Sequence, residues 1–175
     1  MSNVFYIPGF GSGPDSSTFL ELKKLIPEIK ILSYDFKNPA ASLDDLTAYL
    51  STLDDVIIVA SSLGGWYAEE ISKCVICDLV LYNPATMPWV TLSRYGVDSD
   101  VLSKYADIAN EELNSVLPNR RHVILCTDDE IIDCSAAKNK YSLNASITFM
   151  TGGHRSTTES IALMAKKVEY LHNTF

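Results

Sequence analysis

The chain has 175 residues, 47% hydrophobic and 21% charged, and its 22 Asp and Glu against 14 Lys and Arg give a formal net charge of −8. Such a length fits one domain with a sizeable core, and the composition excludes a disordered chain. The acidic balance argues against a nucleic-acid partner, because phosphates are met by Lys and Arg; the longest apolar runs, such as Val56 to Ala60, are far too short for a membrane span.

Met1 to Ile7 carries neither a basic region nor a long apolar core, so a cytoplasmic protein with reduced cysteines is expected. The first strand is Val4-Phe5-Tyr6-Ile7, followed by the glycine-rich loop Pro8-Gly9-Phe10-Gly11-Ser12-Gly13-Pro14 and a helical pattern near Phe19 to Ile26. Ile29 to Tyr34 reads as a second strand. Ser42 then precedes a helix with Leu43, Leu46, Tyr49, Leu50 and Leu53 apolar, and Asp44 and Asp45 suit the positive end of its dipole. Val56 to Ala60 is uninterrupted by polar residues, as expected of a central strand in a parallel sheet.

Helical pattern resumes directly after Ser62 and closes near Cys74-Val-Ile-Cys77. A redox pair should open a helix and a zinc site needs four ligands, so these two cysteines are read as packed thiols. Leu79 to Tyr82 is the fourth strand. The stretch 83–118 is then much longer than the usual loop of roughly 2–6 residues and suggests a lid or pocket wall. Its first part, Asn83 to Trp89, is irregular with two prolines; Ser99 to Leu117 looks helical, with Leu102, Tyr105, Ala106 and Leu113 apolar. Val123 to Cys126 and Ile147 to Met150 complete the strands. Ser156-Thr157-Thr158-Glu159 is a capping-box pattern for a last helix carrying Ile161, Met164, Val168 and Leu171 on one face. The alternation implies a single α/β domain: a mostly parallel sheet of about six strands, helices on both faces and a small helical insertion.

The chemistry gathers where strands end. Ala60-Ser61-Ser62-Leu63-Gly64 has the layout of a nucleophile elbow, in which small residues flank a serine on a sharp strand-to-helix turn. Ser62 would project its hydroxyl at a helix N-terminus, with the Leu63 N–H offered to an oxyanion. A serine needs a base. His122 begins a strand beside Arg120 and Arg121 and is expected to be solvated; His172 lies in the last helical turn, a structural position. His154, in Thr151-Gly152-Gly153-His154, follows a strand on two glycines that permit a tight turn back over the sheet edge. Between serine and histidine, Thr127-Asp128-Asp129-Glu130-Ile131-Ile132-Asp133 supplies the orienting carboxylate. Asp129 is preferred because Ile131 and Ile132 can anchor the loop, with Asp133 and Asp128 as competitors. The first glycine-rich loop offers a second oxyanion N–H, at Phe10. That loop, with Asp35 after the second strand, also loosely matches a dinucleotide fingerprint, but Pro14 stands where the third glycine should be.

With these segments in place, the chain resembles the α/β-hydrolases, and more narrowly the small bacterial esterases of the YqiA and YcfP kind. Phe5 to Ser12 resembles that family's first strand and oxyanion loop, Ser61 to Ala68 its elbow, and Asn83-Pro84-Ala85 its segment after the next strand. Thr127 to Asp133 and Gly152-Gly153-His154 resemble its acid and histidine loops. Pro8 replaces a usual histidine, and Ala60 the usual first glycine of the elbow. The resemblance implies hydrolysis of a small-molecule carboxylic ester or thioester without metal or organic cofactor. Ser62 would be nucleophile, His154 base, Asp129 orienting acid, and the Phe10 and Leu63 N–H groups the oxyanion hole. Trp66, Trp89 and Tyr95 are expected to wall the substrate pocket. Acyl transfer on the same three residues, or ligand binding without turnover, are the alternatives.

Overall fold

Residues 2–111 and 117–174 are described by a computed structural model. β1 (Asn3–Ile7), β2 (Lys30–Ile31), β3 (Val56–Ser61), β4 (Cys77–Tyr82), β5 (Arg121–Cys126) and β6 (Ser146–Met150) form one sheet in the order β2-β1-β3-β4-β5-β6, with every neighbouring pair parallel. Because all strands run the same way, all their carboxyl ends lie along one edge. The chain steps outward from β1 to β2 and then returns to β3 on the other side. This places a topological switch point between β1 and β3, where open α/β sheets bind ligands.

Strict alternation of side chains divides the core into two layers. Phe5, Ile7, Ile58, Ala60, Leu79, Leu81, Val123 and Leu125 face one side. There they meet α2 (Pro39–Leu50), α3 (Leu63–Ser72), α4 (Pro88–Ser93), α5 (Ser99–Asn110) and α6 (Cys134–Tyr141). Val4, Tyr6, Ile57, Val59, Val80, Tyr82, Ile124 and Cys126 face the other, under α1 (Ser17–Leu25) and α7 (Thr158–His172). On α7 the residues Ile161, Met164, Val168 and Leu171 are all buried, the face the sequence spacing marks out.

Several boundaries differ from expectation, each for a local reason. β2 is two residues long, not Ile29 to Tyr34, because as the edge strand it has only β1 to pair with. α2 starts at Pro39, a residue suited to the first helical turn, and Ser42 is not its cap. The Ser42 hydroxyl instead accepts from Asp35 N (2.9 Å) and donates to Asp35 O (3.2 Å). The last helix is capped by Thr157 and not Ser156: Thr157 Oγ1 accepts from Ser160 N and Ser160 Oγ from Thr157 N, a box one residue later in the chain. In the insertion, Pro88 opens the short helix α4 where only irregular chain was expected. α5 ends at Asn110 and Leu117 is not helical; Leu113 lies outside the described residues.

Two cysteines and two histidines also refine the reading. Cys77 is buried at the start of β4, its thiol pushed up to about 12 by burial and then by the charge of Asp78, but Cys74 is exposed, so only one of the two thiols is packed. His122 is half-buried, not solvated: its ring packs edge-on against Tyr170 at 5.5 Å, and its buried Nδ1 has no hydrogen-bond partner among the described residues. His172 closes α7, far along the chain from the strand ends, and its buried Nε2 is likewise unpartnered among the described residues.

Candidate active site

Ser62 sits between the end of β3 and the first residue of α3 with φ 50° and ψ −121°, a left-handed conformation that costs an L-residue of order 1–3 kcal/mol. Neighbouring backbone holds it there. Ser62 N donates to Tyr82 O (3.1 Å), and Ser62 O accepts from Gly65 N and Ala85 N (both 2.9 Å). The turn is crowded on every side. A Cβ at Gly64 would lie 2.2 Å from Ile7 O, one at Gly65 would lie 2.6 Å from Pro84 Cβ, and one at Gly9 would lie 3.2 Å from Ser62 Cβ. The elbow pattern calls for a small residue at Gly64; it gives no sign of the packing of Gly65 on Pro84. Ala60 is fully buried and accommodated, since its methyl points into the α3 layer.

The elbow is met by a loop from the far end of the sheet. Ser62 Oγ lies 3.0 Å from His154 Nε2, and His154 Nδ1 lies 2.8 Å from Asp129 Oδ2 and 3.1 Å from Oδ1. An ionised carboxylate only accepts, so Nδ1 carries the proton toward Asp129 and Nε2 is left to accept from the serine hydroxyl. Asp129 Oδ1 also accepts from Ile131 N (2.7 Å) and Ile132 N (2.8 Å). Its side chain is only 1% exposed and that of His154 16%, so this hydrogen-bonded line is largely shielded from water. Ile132 is buried in the core, the anchor expected behind Asp129. The competing carboxylates are occupied elsewhere. Asp133 caps α6, accepting from Ser135 N and Ala136 N. Asp128 accepts from Gly152 N (3.0 Å) and Gly153 N (3.1 Å), and these two N–H groups hold its carboxyl below the usual carboxylate range.

Further side-chain contacts hold the histidine turn in place, and sequence reasoning missed them. Besides Asp128, Glu130 Oε2 accepts from His154 N (3.0 Å). From the next strand, buried Asn83 donates its side-chain amide to Gly153 O (3.0 Å) and accepts from Cys126 N (2.7 Å). Tyr82 donates its hydroxyl toward Gly153 O (3.1 Å) and Arg155 O (3.2 Å). Gly152 and Gly153 have φ of 145° and 72°, values that only glycine adopts without strain. The only signal available in the sequence was the density of carboxylates opposite a Gly-Gly pair.

A cavity of about 500 Å³ opens over Ser62 and His154. Phe10 lines it, its ring edge-on to Phe36 at 4.9 Å and tilted against Tyr95 at 5.6 Å. Among the described residues the backbone N–H groups of Phe10 and Leu63 have no acceptor. Of the three aromatic residues expected in the wall, Tyr95 lines the cavity, but Trp66 and Trp89 do not. Trp66 is 1% exposed, packed against Tyr67 and Tyr105 beneath α5, because its helix turns that face to the core. Trp89 packs on the same layer, and α4 gives the cavity Pro88, Thr91 and Leu92 instead. Among the described residues no cluster of three His, Cys, Asp or Glu is arranged to hold a metal ion, and no helix is long and apolar enough to cross a membrane.

Comparison with known proteins agrees with this architecture. The chain is 27% identical over 143 residues to the UPF0227 protein YcfP of Salmonella arizonae, spanning 74% of this chain and 77% of that protein, and equally so to YcfP of Salmonella paratyphi B. Among solved structures, it is similar to mouse alpha/beta hydrolase domain-containing protein 10, with a TM-score of 0.76, 16% identity, and 97% of this chain and 89% of that one covered. It is also similar to Est1E from Butyrivibrio proteoclasticus, with a TM-score of 0.70, 12% identity, and coverage of 98% and 88%. At such identities these likenesses establish the α/β-hydrolase fold. The model of the uncharacterised protein family UPF0227 matches residues 3–158, and the chain belongs to that family.

Proposed function

We propose that this protein is a serine hydrolase of carboxylic esters or thioesters, working through an acyl-enzyme. The observation that carries the reading is the unbroken line Ser62 Oγ to His154 Nε2 at 3.0 Å and His154 Nδ1 to Asp129 Oδ2 at 2.8 Å, set on a strained elbow beneath a cavity. Ser62 attacks the acyl carbonyl as His154 takes its proton, and buried Asp129 stabilises the imidazolium that forms. The N–H groups of Leu63 and Phe10 receive the oxyanion; the approach of Gly9 to Ser62 brings the first loop alongside the elbow. His154 then protonates the leaving group, and water repeats the sequence on the acyl-enzyme. In this reading the 83–118 insertion serves as a pocket wall, through Pro88, Leu92 and Tyr95.

The test is p-nitrophenyl butyrate hydrolysis together with labelling by a fluorophosphonate probe. The wild-type protein should turn over the ester and take one adduct on Ser62. Ser62→Ala should do neither while keeping its circular dichroism. An unlabelled wild-type protein, or undiminished turnover in the variant, rejects the proposal.

A further inference from the structure

The two walls of the cavity come from opposite faces of the sheet and differ in chemistry. On the α4 side, Phe10, Ala85, Pro88, Leu92 and Tyr95 make a mostly apolar surface, interrupted by Thr91 and continuous with the layer that holds Leu63. On the α1 and α7 side, the lining is Tyr6, Ser16, Thr18, Ser61, Arg155 and Ser156. Tyr6 is almost wholly buried, with its hydroxyl 2.9 Å from Ser61 Oγ. Two hydroxyls joined by one hydrogen bond keep one O–H proton between them to donate elsewhere. This wall can therefore donate at least that O–H to a bound group.

Its charge is equally one-sided. In a chain with a formal net charge of −8, no Asp or Glu lines the cavity, and Arg155 is the one Lys or Arg among the lining residues. Three carboxylates stand one loop away, but Asp128, Asp129 and Glu130 each bind backbone N–H groups or the His154 ring. Among the described residues the Arg155 guanidinium forms no ion pair, although it follows His154 directly. An exposed cation on the rim of the Ser62 cavity, on a wall of hydroxyl groups that can donate, suits an acceptor-rich anion. One guanidinium matches the single charge and paired oxygens of a carboxylate; a phosphate monoester, at about −1.5 to −2, would exceed it close to Asp128 and Glu130.

Resting on the ester-hydrolase reading above, we infer that the substrate is an ester whose one half is apolar and whose other half carries a carboxylate, held by Arg155 and the Tyr6–Ser61 hydroxyl pair while Ser62 attacks between them.

Matched esters test this. p-Nitrophenyl hexanoate is compared with mono-p-nitrophenyl adipate, whose carboxylate is too far from the ester to attack it readily, and phenyl butyrate with 4-carboxyphenyl butyrate, so that the charge sits once in the acyl half and once in the leaving group. In one of the two pairs kcat/KM should favour the anionic ester about tenfold, the scale of one charge-assisted hydrogen bond. Arg155→Gln should lower that anionic-to-neutral ratio about tenfold, and Arg155→Lys should lower it less. A wild-type ratio at or below one in both pairs, or a ratio unchanged in Arg155→Gln, overturns the inference. Calorimetric binding of the same esters to Ser62→Ala separates the two proposals. Tighter binding of the anionic ester, lost on adding Arg155→Gln, supports the carboxylate site even if the wild-type protein turns nothing over, an outcome that rejects hydrolysis alone. Turnover without any charge preference retains hydrolysis and rejects the carboxylate site.

Discussion

Asn83 and Gly153 stand 70 positions apart, yet the Asn83 side-chain amide donates to the Gly153 carbonyl at 3.0 Å, one residue before His154. The same side chain accepts from Cys126 N, so a single buried amide ties the end of β4 to the end of β5 and to the histidine turn. Asn83 itself takes φ 41°, a left-handed conformation that asparagine tolerates better than most residues.

Replacing it with Ala leaves the buried Cys126 N–H without its acceptor, at about 1–3 kcal/mol, while Gly153 O keeps the Tyr82 hydroxyl. Asn83→Ala should therefore shift the urea midpoint downward by the equivalent of about 2 kcal/mol. Ester turnover at low denaturant should fall as well, because the turn that carries His154 loses a tether. Unchanged stability and turnover would show that this amide is dispensable.

Asp128 grips the same turn from the other side, one oxygen serving both glycine N–H groups. Those bonds depress its pKa below the ordinary 3.8, so the carboxylate that is charged at neutral pH keeps its charge, and its hold on the turn, further into the acid range. Its contribution is present above that ordinary value and is lost only as pH falls through the lower folded one. Asp128→Ala should reduce kcat by about 10- to 100-fold through misplacement of the imidazole, with KM nearly constant. Asp128→Asn, which keeps an acceptor oxygen, should recover most of it. Equal loss in both variants would point to the charge and not to the positioning.

At the elbow, Gly64→Ala would set a methyl 2.2 Å from the Ile7 carbonyl oxygen, where only backbone could yield. Overpacking of this kind should cost about 3 kcal/mol, visible in the denaturation midpoint or as loss of soluble protein. Ala60→Gly, by contrast, should cost only about 0.5–1 kcal/mol, the penalty of glycine in a strand. A reversed order would mean that the tight fit lies before the serine and not after it.

Burial lowers the pKa of His122, with smaller contributions from the cations Lys167 and Arg120. The unfolded chain takes up a proton near the ordinary value of 6.5, while the folded one declines it until the pH is lower. Stability should consequently fall as pH drops below about 6.5 and level off once the folded imidazole protonates. His122→Phe keeps an aromatic ring against Tyr170 but cannot titrate. Measured by urea unfolding from pH 7.5 to 5, the variant should lose less stability than the wild-type protein across that window. Parallel curves would assign the loss to other groups.

The sequence alone determined which residues alternate in strands, where a serine meets a sharp strand-to-helix turn, and which histidine follows a Gly-Gly pair. These are local matters: period-two burial, the crowding around an elbow and the backbone freedom of glycine act over a few neighbouring residues. Tertiary structure decided the rest. It settled which of four neighbouring carboxylates faces His154, since Asp128, Asp129, Glu130 and Asp133 differ little in sequence and differ only in which N–H groups lie opposite them. It also turned Trp66 into the core, because the face a helix buries depends on what packs across from it, here Tyr105 of the insertion. Finally, it set a mostly apolar wall against a hydroxyl-lined one across Ser62. Residues drawn from both ends of the chain meet there only once the parallel strands align their carboxyl ends.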